Sequence, residues 1–432
     1  MKKLLIITYY WPPAGGAGVY RWLKFSKYLR NSGWEPVIFT SEGGEYSVVD
    51  TSLLADVPEN ITILKYHVWE PYNIYKKFIG QKKEDKINVG FLSENKKKKF
   101  SEKVSIWIRG NFFIPDARTF WIKPSAKYLI KYLTENPVDA MVSTGPPHST
   151  HLIANRIKKK INIPWIADFR DPWTYIDFYD ELMLTKIADW WHHKLEQRVL
   201  NNADKVVTIS WDCARDLEEL GAKNVAVITN GFDEEDLISE GIKQDKKFSI
   251  THIGSLVKSR NPITFWKAIQ ELLSENPSLK NDLEIKLIGK VDYSVNETID
   301  NYDIRSNVSF VNHKPHDVVM KEMQQSQVLL LLINNSQNAK GILPGKFFEY
   351  LSARRPILCI GLTESDISRI LNETNAGKAI AFEDKEGLKK YILSLYEEYK
   401  SKGIQKTSGS INKYSRKELA GQFCELLNLL QG

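Results

Sequence analysis

Short apolar runs alternate along this chain with stretches of helical spacing, and the alternation is played through twice. Residues 3–9 predict a buried parallel strand, and Pro12-Pro-Ala-Gly-Gly-Ala-Gly18 a loop that permits close backbone approach. Helical spacing follows over Val19–Asn31, with Gly33 as its C-terminal stop and Trp34–Thr40 as the next strand. From about Tyr66 to Lys131 the pattern is irregular. Strands are predicted again at Val138–Ser143, Pro164–Ala167, Lys205–Ser210 and Val225–Ile228, separated by helices that run to Lys160, over Glu181–Asn201 and over Trp211–Leu220. The first series closes at Thr229-Asn-Gly-Phe-Asp233, and the polar stretch Asp233–Lys247 reads as a linker.

The second series opens with strand Phe248–Ile253 and helix Ile263–Ser274. Strands Leu283–Ile288, Val308–Phe310, Val328–Ile333 and Pro356–Ile360 follow, with a helix over Pro315–Gln325 and last helices at Lys385–Lys400 and Arg416–Leu430. The fold class expected is α/β, with two Rossmann-like doubly wound domains facing a central cleft. The domains are expected at 1–233 and 248–405, with a separate C-terminal helical segment at 406–432.

Composition narrows the class of protein. A chain of 432 residues with 42% hydrophobic and 26% charged content is an ordered globular protein large enough for two cores. The net charge of +7 implies a mild affinity for anions. Cys213, Cys359 and Cys424 form no paired or metal-type spacing, so a reducing cytoplasm is expected. The opening Met-Lys-Lys-Leu-Leu-Ile-Ile breaks too soon for a secretory signal. No apolar stretch approaches the roughly 20 residues that span a bilayer, so any membrane contact is expected to be peripheral. The irregular segment supplies ingredients for such contact. Lys76, Lys77, Lys82, Lys83, Lys86, Lys96–Lys99 and Lys103 interleave with Trp69, Tyr72, Tyr75, Phe78, Phe91, Phe100, Trp107, Phe112, Phe113, Phe120 and Trp121. A solvated insertion with core aromatics is the alternative. No nucleic-acid-reading module accompanies these residues.

Candidate chemistry sits where predicted strands end. After Val328–Ile333, the stretch Gly341–Pro356 reads as loop and helix. Its backbone N–H groups from Gly345 onward, with the Lys346 charge and the Glu349 carboxylate, outline a nucleotide-diphosphate cradle. An ordinary βαβ crossover is the plainer reading. His252–Pro262 brings Gly254, Lys258 and Arg260 to a second strand end, and the guanidinium can fork onto phosphate. In the first half, Thr144–His151 and Asp168-Phe-Arg-Asp-Pro-Trp173 place His148, His151, Asp168, Arg170 and Asp171 at strand ends. A structural salt-bridge network is the alternative for the acidic pair. The glycines do not follow Gly-x-Gly-x-x-Gly, and Phe39-Thr-Ser41 stands where a dinucleotide enzyme has an acid, which disfavours nicotinamide and flavin chemistry. Two histidines without a third ligand, and no Asp-x-Asp, leave no metal site expected. His192 and His193, adjacent in mid-helix, read as structural.

Across nearly its whole length the chain resembles the retaining glycosyltransferases of family 4, of GT-B fold. The resemblance rests on Gly15-Gly-Ala-Gly18, Asn230-Gly-Phe-Asp233, His252–Arg260, Pro344-Gly-Lys-Phe-Phe-Glu-Tyr-Leu351 and the final helix near Tyr414-Ser-Arg416, which in such folds crosses back onto the first domain. It implies a nucleotide-sugar donor with Arg260 and Lys346 on its diphosphate and Glu349 on its ribose. Gly16, Gly18 and Arg21 would lie near the transferred sugar. Asp171, His148 and Asp168 would be the catalytic group, and Asp116, Arg118, Arg170 and His151 would face the acceptor. Front-face attack, with the leaving diphosphate taking the acceptor proton, is the implied retaining route. Ser255 replaces the usual Arg of the first phosphate loop, and Gly341 replaces the first Glu of Glu-x7-Glu, which marks a variant subgroup. The expected activity is transfer of a sugar to a hydroxyl of a glycan or lipid-linked saccharide in polysaccharide assembly, without a cofactor, at the inner face of the membrane. A non-catalytic nucleotide-sugar binder and a sugar-nucleotide epimerase are the alternatives.

Overall fold

The computed structural model of the chain describes residues 1–70, 100–236, 241–312 and 314–431. It divides into two compact units. One comprises Met1–Thr229 with Arg416–Gly432, the other Asn230–Ser415.

The first unit is built on a parallel sheet whose described strands are β1 (Lys2–Ile7), β2 (Trp34–Glu42), β3 (Thr62–His67), β4 (Ala140–Gly145), β5 (Trp165–Phe169), β6 (Lys205–Thr208) and β7 (Ala226–Val227). Their order is β3-β2-β1-β4-β5-β6-β7. Successive side chains of a strand point to opposite faces, so the apolar run of β1 serves two cores. Leu5 and Ile7 pack with Phe39, Met141 and Trp165 on one face. Leu4 and Ile6 pack with Ile38, Val142 and Ile166 on the other, where helix Ala17–Leu29 meets helix Arg416–Leu429. Trp22 of the former stands edge-on to Phe423 of the latter, with ring centroids 5.0 Å apart. Apolar residues on both faces are what a fully covered parallel sheet requires.

The second unit repeats the plan with β8 (Phe248–Ile253), β9 (Leu283–Ile288), β10 (Val308–Val311), β11 (Val328–Leu332), β12 (Ile357–Ile360) and β13 (Gly377–Ile380), in the parallel order β10-β9-β8-β11-β12-β13. In both sheets the direction of winding reverses once, between β1 and β4 and between β8 and β11. The C-terminal ends of those strands are where open α/β sheets bind ligands.

Most predicted elements lie within a few residues of their expected bounds. Gly33 ends the first helical segment in the left-handed region at φ 81. The helix expected over Glu181–Asn201 starts instead at Lys186, where the Thr185 hydroxyl accepts a hydrogen bond from the Ala188 N–H. The irregular stretch contains two helices, Phe100–Phe112 and Thr119–Glu135, and the second buries Trp121, Ile122, Ala126, Leu129 and Leu133 along one face. Lys76–Lys99 and the aromatics at 72, 75, 78 and 91 lie outside the described residues, as does part of the expected linker. Strands β3 and β13 and the helices Tyr293–Asn301 and Asp366–Thr374 had no counterpart in the sequence reading. Residues 406–415 belong to the second unit, and the returning helix starts at Arg416. Among the described residues no helix is long and apolar enough to cross a membrane.

Candidate functional site

In the second unit the end of β8 is gripped by one helix. Pro344 precedes helix Gly345–Ser352, whose start carries no side-chain cap. Lys346 Nζ donates to the Ile253 carbonyl at 3.3 Å, and one turn later the Tyr350 hydroxyl accepts the Ile253 N–H at 2.9 Å. Two residues four apart on one helix face thus clamp both polar groups of a single strand residue. The next residue, Gly254, has φ 115, and a Cβ there would come within 3.5 Å of Lys346 Nζ. The glycine is therefore required by backbone conformation, while the ammonium would sit in ordinary contact with a Cβ.

The charge around this junction is cationic. Burial pushes the Lys346 amine down to about 8, and the nearby Arg260 guanidinium adds to that, while Glu349 opposes it. His252 lies under the same loop. Its Nδ1 is 3.0 Å from the Leu330 carbonyl, and burial together with Lys346 and Arg260 holds it well below the ordinary histidine range, so it is neutral with Nδ1 as the donor. Its Nε2 and the Asn334 Oδ1, at the ends of adjacent strands, are buried without a protein partner. A partly buried ammonium with a carbonyl as its hydrogen-bond partner, beside an uncapped helix N-terminus, suits an anion. Of the expected donor residues, the structure brings together Gly254, Arg260, Gly345, Lys346 and Glu349. Lys258 stands apart on the exposed turn Lys258–Arg260, with Asp292 as a neighbouring charge. Sequence reading missed His252, Asn334 and Tyr350; only the placement of His252 at a strand end could have drawn attention.

In the first unit the expected group divides in two. Asp168, fully buried, accepts hydrogen bonds from Arg21 Nε at 3.2 Å and NH2 at 3.1 Å, from Trp22 Nε1 at 2.8 Å and from Thr144 Oγ1 at 2.9 Å. Arg21 also donates to the Thr229 carbonyl at 2.8 Å. A carboxylate with four donors and a guanidinium with no exposed face are an internal tie, which is where the structure places the expected catalytic Asp168 and sugar-facing Arg21. Arg170 is likewise turned inward. Its NH1 donates to the Gly18 carbonyl at 3.0 Å and its NH2 to that of Pro146, which fastens two strand-end loops together. A Cβ at Gly18 would lie 2.9 Å from the Tyr10 ring, so that glycine serves packing. Gly16, by contrast, has φ 88 with open space around it, at the uncapped start of helix Ala17–Leu29. His151 is fully buried, 2.8 Å from Ser143 Oγ and stacked on Phe169, and burial depresses it to about 3.

The other expected residues share a pocket of about 320 Å³ lined by Asp116, Arg118, His148 and Asp171 together with Tyr10, Arg109 and Trp173. His148 stacks on Trp173 with centroids 4.7 Å apart. Burial and neighbouring His151 and Arg170 keep it neutral, and its Nδ1 is without a protein partner. Asp171 is open to solvent on one side, while the protein packed around it raises its carboxyl above the ordinary range and Arg170 opposes that. Asp116 accepts the N–H groups of Arg118 and Ser149, both at 2.9 Å, and Arg118 pairs with Glu70 at 2.7 Å. His192 accepts from Trp173 Nε1 at 3.1 Å and is structural, as its mid-helix position suggested. Arg109 and Trp173 were missed because they come from the irregular stretch and from a loop. Among the described residues no group of three His, Cys, Asp or Glu is placed to hold a metal ion.

Two doubly wound units, each with a switch point between its strands, define a two-domain α/β protein. The comparisons with known proteins agree. Residues 81–236 match the family model described as Glycosyltransferase Family 4, and residues 233–418 match Glycosyl transferases group 1. Together the two matches span residues 81–418 and agree with the GT-B fold. No curated protein matches it in sequence. Among solved structures it is similar to sucrose-phosphate synthase from Thermosynechococcus elongatus, at 12% identity and TM-score 0.60 over 100% of this chain and 99% of that one. A glycosyltransferase from Rickettsia africae gives 14% identity and TM-score 0.62 over 99% and 98%. HepE from Anabaena, solved in complex with UDP, gives 11% identity and TM-score 0.56 over 100% and 97%. At such identities the likeness carries the fold.

Proposed function

We propose that the chain transfers a sugar, with retention, from a nucleotide-diphosphate donor to a hydroxyl of a glycan or lipid-linked saccharide in polysaccharide assembly. The observation that carries this is the partly buried Lys346 ammonium, fixed on the end of β8 beside an uncapped helix N-terminus. The diphosphate meets Lys346, Arg260 and the first N–H groups of that helix, and Glu349 takes the ribose hydroxyls. The acceptor enters the pocket of the first unit, where Asp171 and Asp116 hold its hydroxyls and Arg118 and His148 border it. His148, being neutral, can hydrogen-bond a sugar hydroxyl in that pocket but does not act there as a cation.

In this mechanism the bond from the anomeric carbon to the diphosphate oxygen breaks. The acceptor oxygen bonds to the same face of that carbon, and its proton passes to the leaving diphosphate. No carboxylate nucleophile and no metal is required. The work is done in the cytoplasm, at the inner face of the membrane when the acceptor is lipid-linked. The supporting comparison is HepE from Anabaena, whose structure contains UDP.

The test is release of free nucleotide diphosphate from a panel of sugar donors, with and without saccharide acceptors. Acceptor-dependent release is expected. Donor binding without release would leave a non-catalytic binder, and acceptor-independent release of an altered sugar would leave an epimerase.

A further inference from the structure

Helix Lys186–Asn202 is apolar on two sides. Ala188, His192, Leu195, Glu196 and Val199 form its buried face. On its outer face Ile187, Trp190 and Trp191 are 80%, 58% and 39% exposed. At 3.6 residues per turn, Ile187, Trp190, Trp191, Lys194 and Arg198 fall within about 100° of arc, a single outward stripe that begins apolar and ends cationic. A surface helix normally gives that side to polar residues.

Neighbouring elements extend the apolar start of the stripe. Asn111 accepts the Thr185 N–H at 2.7 Å and donates to the Met183 carbonyl at 3.3 Å, which fastens the end of helix Phe100–Phe112 beside the start of Lys186–Asn202. That brings exposed Phe112, packed on Trp107 at 5.7 Å between centroids, and exposed Met183 to the same area. Exposed aromatic surface of this kind marks an interaction site.

We propose that this stripe docks the chain on an anionic lipid bilayer. Tryptophan rings partition to the level of lipid headgroups, where one edge is apolar and the other wet. Lys194 and Arg198, one and two turns beyond Trp190, are spaced to reach the lipid phosphates while the rings insert. Asp177, Asp180 and Glu181 in the preceding loop reduce the net attraction, so the rings make the larger contribution. The inference gives the lipid-linked acceptor of the proposed function its surface and rests on that reading for its purpose. Its test does not.

The full chain is floated, without donor, with vesicles of phosphatidylcholine alone or mixed with phosphatidylglycerol. The chain is expected to bind the mixed vesicles, and Trp190→Ser/Trp191→Ser to weaken partition about tenfold or more. Lys194→Glu/Arg198→Glu is expected to weaken it roughly fivefold or more per cation on mixed vesicles, with little change on phosphatidylcholine. Trp190, Trp191 and Lys194 are exposed and Arg198 is half-buried, all away from the proposed donor residues in sequence and unit, so the variants should keep the wild-type affinity for nucleoside diphosphates. Absent vesicle binding, or tryptophan variants that float like the wild type, would overturn the proposal. So would a solution dimer that the tryptophan variant dissociates. A chain that floats as expected yet transfers no sugar retains the lipid surface and loses the transferase reading.

Discussion

Asp168 in the first unit and Lys346 in the second stand at comparable places, near the C-terminal ends of strands beside a switch point, and they are treated in opposite ways. Asp168 is buried with four donors from three side chains, so its charge is neutralised inside the protein. Lys346 has a carbonyl for its hydrogen bond and, among the described residues, no carboxylate within ion-pair distance. Its amine is correspondingly depressed to about 8. A buried charge held by internal partners is costly to strip of them, while a desolvated charge without a carboxylate partner is what the proposed function assigns to a ligand. The position of a charged residue at a strand end therefore does not settle its role. Its partners do.

That contrast can be broken most severely at Asp168. Asp168→Asn keeps the shape but leaves the Arg21 guanidinium buried beside a neutral group, and a loss of about 3–5 kcal/mol is expected in urea denaturation. Lys346→Met should do the converse. Fold stability is expected to hold or rise, because a desolvated charge is removed, while donor affinity falls by roughly 1.5–3 kcal/mol, about 10- to 150-fold, in calorimetric titration.

The third prediction concerns pH. The free amine of Lys346 titrates near 8, below its ordinary value, and a bound anion raises it, so binding takes up a proton. Donor affinity should be full below about 8 and fall by up to tenfold per pH unit above it. Titration in buffers of different ionisation enthalpy checks the proton uptake. The smallest effect is expected at Lys258, which faces Asp292 and solvent. Lys258→Ala should change donor affinity by less than about 0.5 kcal/mol. A loss comparable to that of Lys346→Met would place a second phosphate contact on the exposed turn.

Much of the architecture was legible because buried parallel strands are short continuous apolar runs, and β8, β9 and β11 were read close to their observed bounds. Strand β3 and β13 were missed because edge strands such as Thr62–His67 are half-exposed and mix Lys and His with apolar residues. At the site, Gly345, Lys346 and Glu349 could be read because loop, glycine and cation follow one another in sequence. Tyr350 could not, since its role depends on the N–H of Ile253, 97 residues away. The internal partners of Asp168, Arg21 and Arg170 were illegible for a related reason. Residue type and strand-end position show which groups can do chemistry, but only the long-range partners show which of them are already engaged. The Trp190–Trp191 pair escaped notice because its significance lies in exposure, which spacing alone does not report.

The measurement closest to the central claim is calorimetric titration of the wild type and Lys346→Met with a panel of nucleoside diphosphates, one pH unit below and one above the Lys346 value of about 8. The account predicts binding to the wild type that weakens across that interval with proton uptake, and weaker, pH-independent binding to the variant. Equal affinity in the two proteins, or wild-type binding without pH dependence, would contradict it.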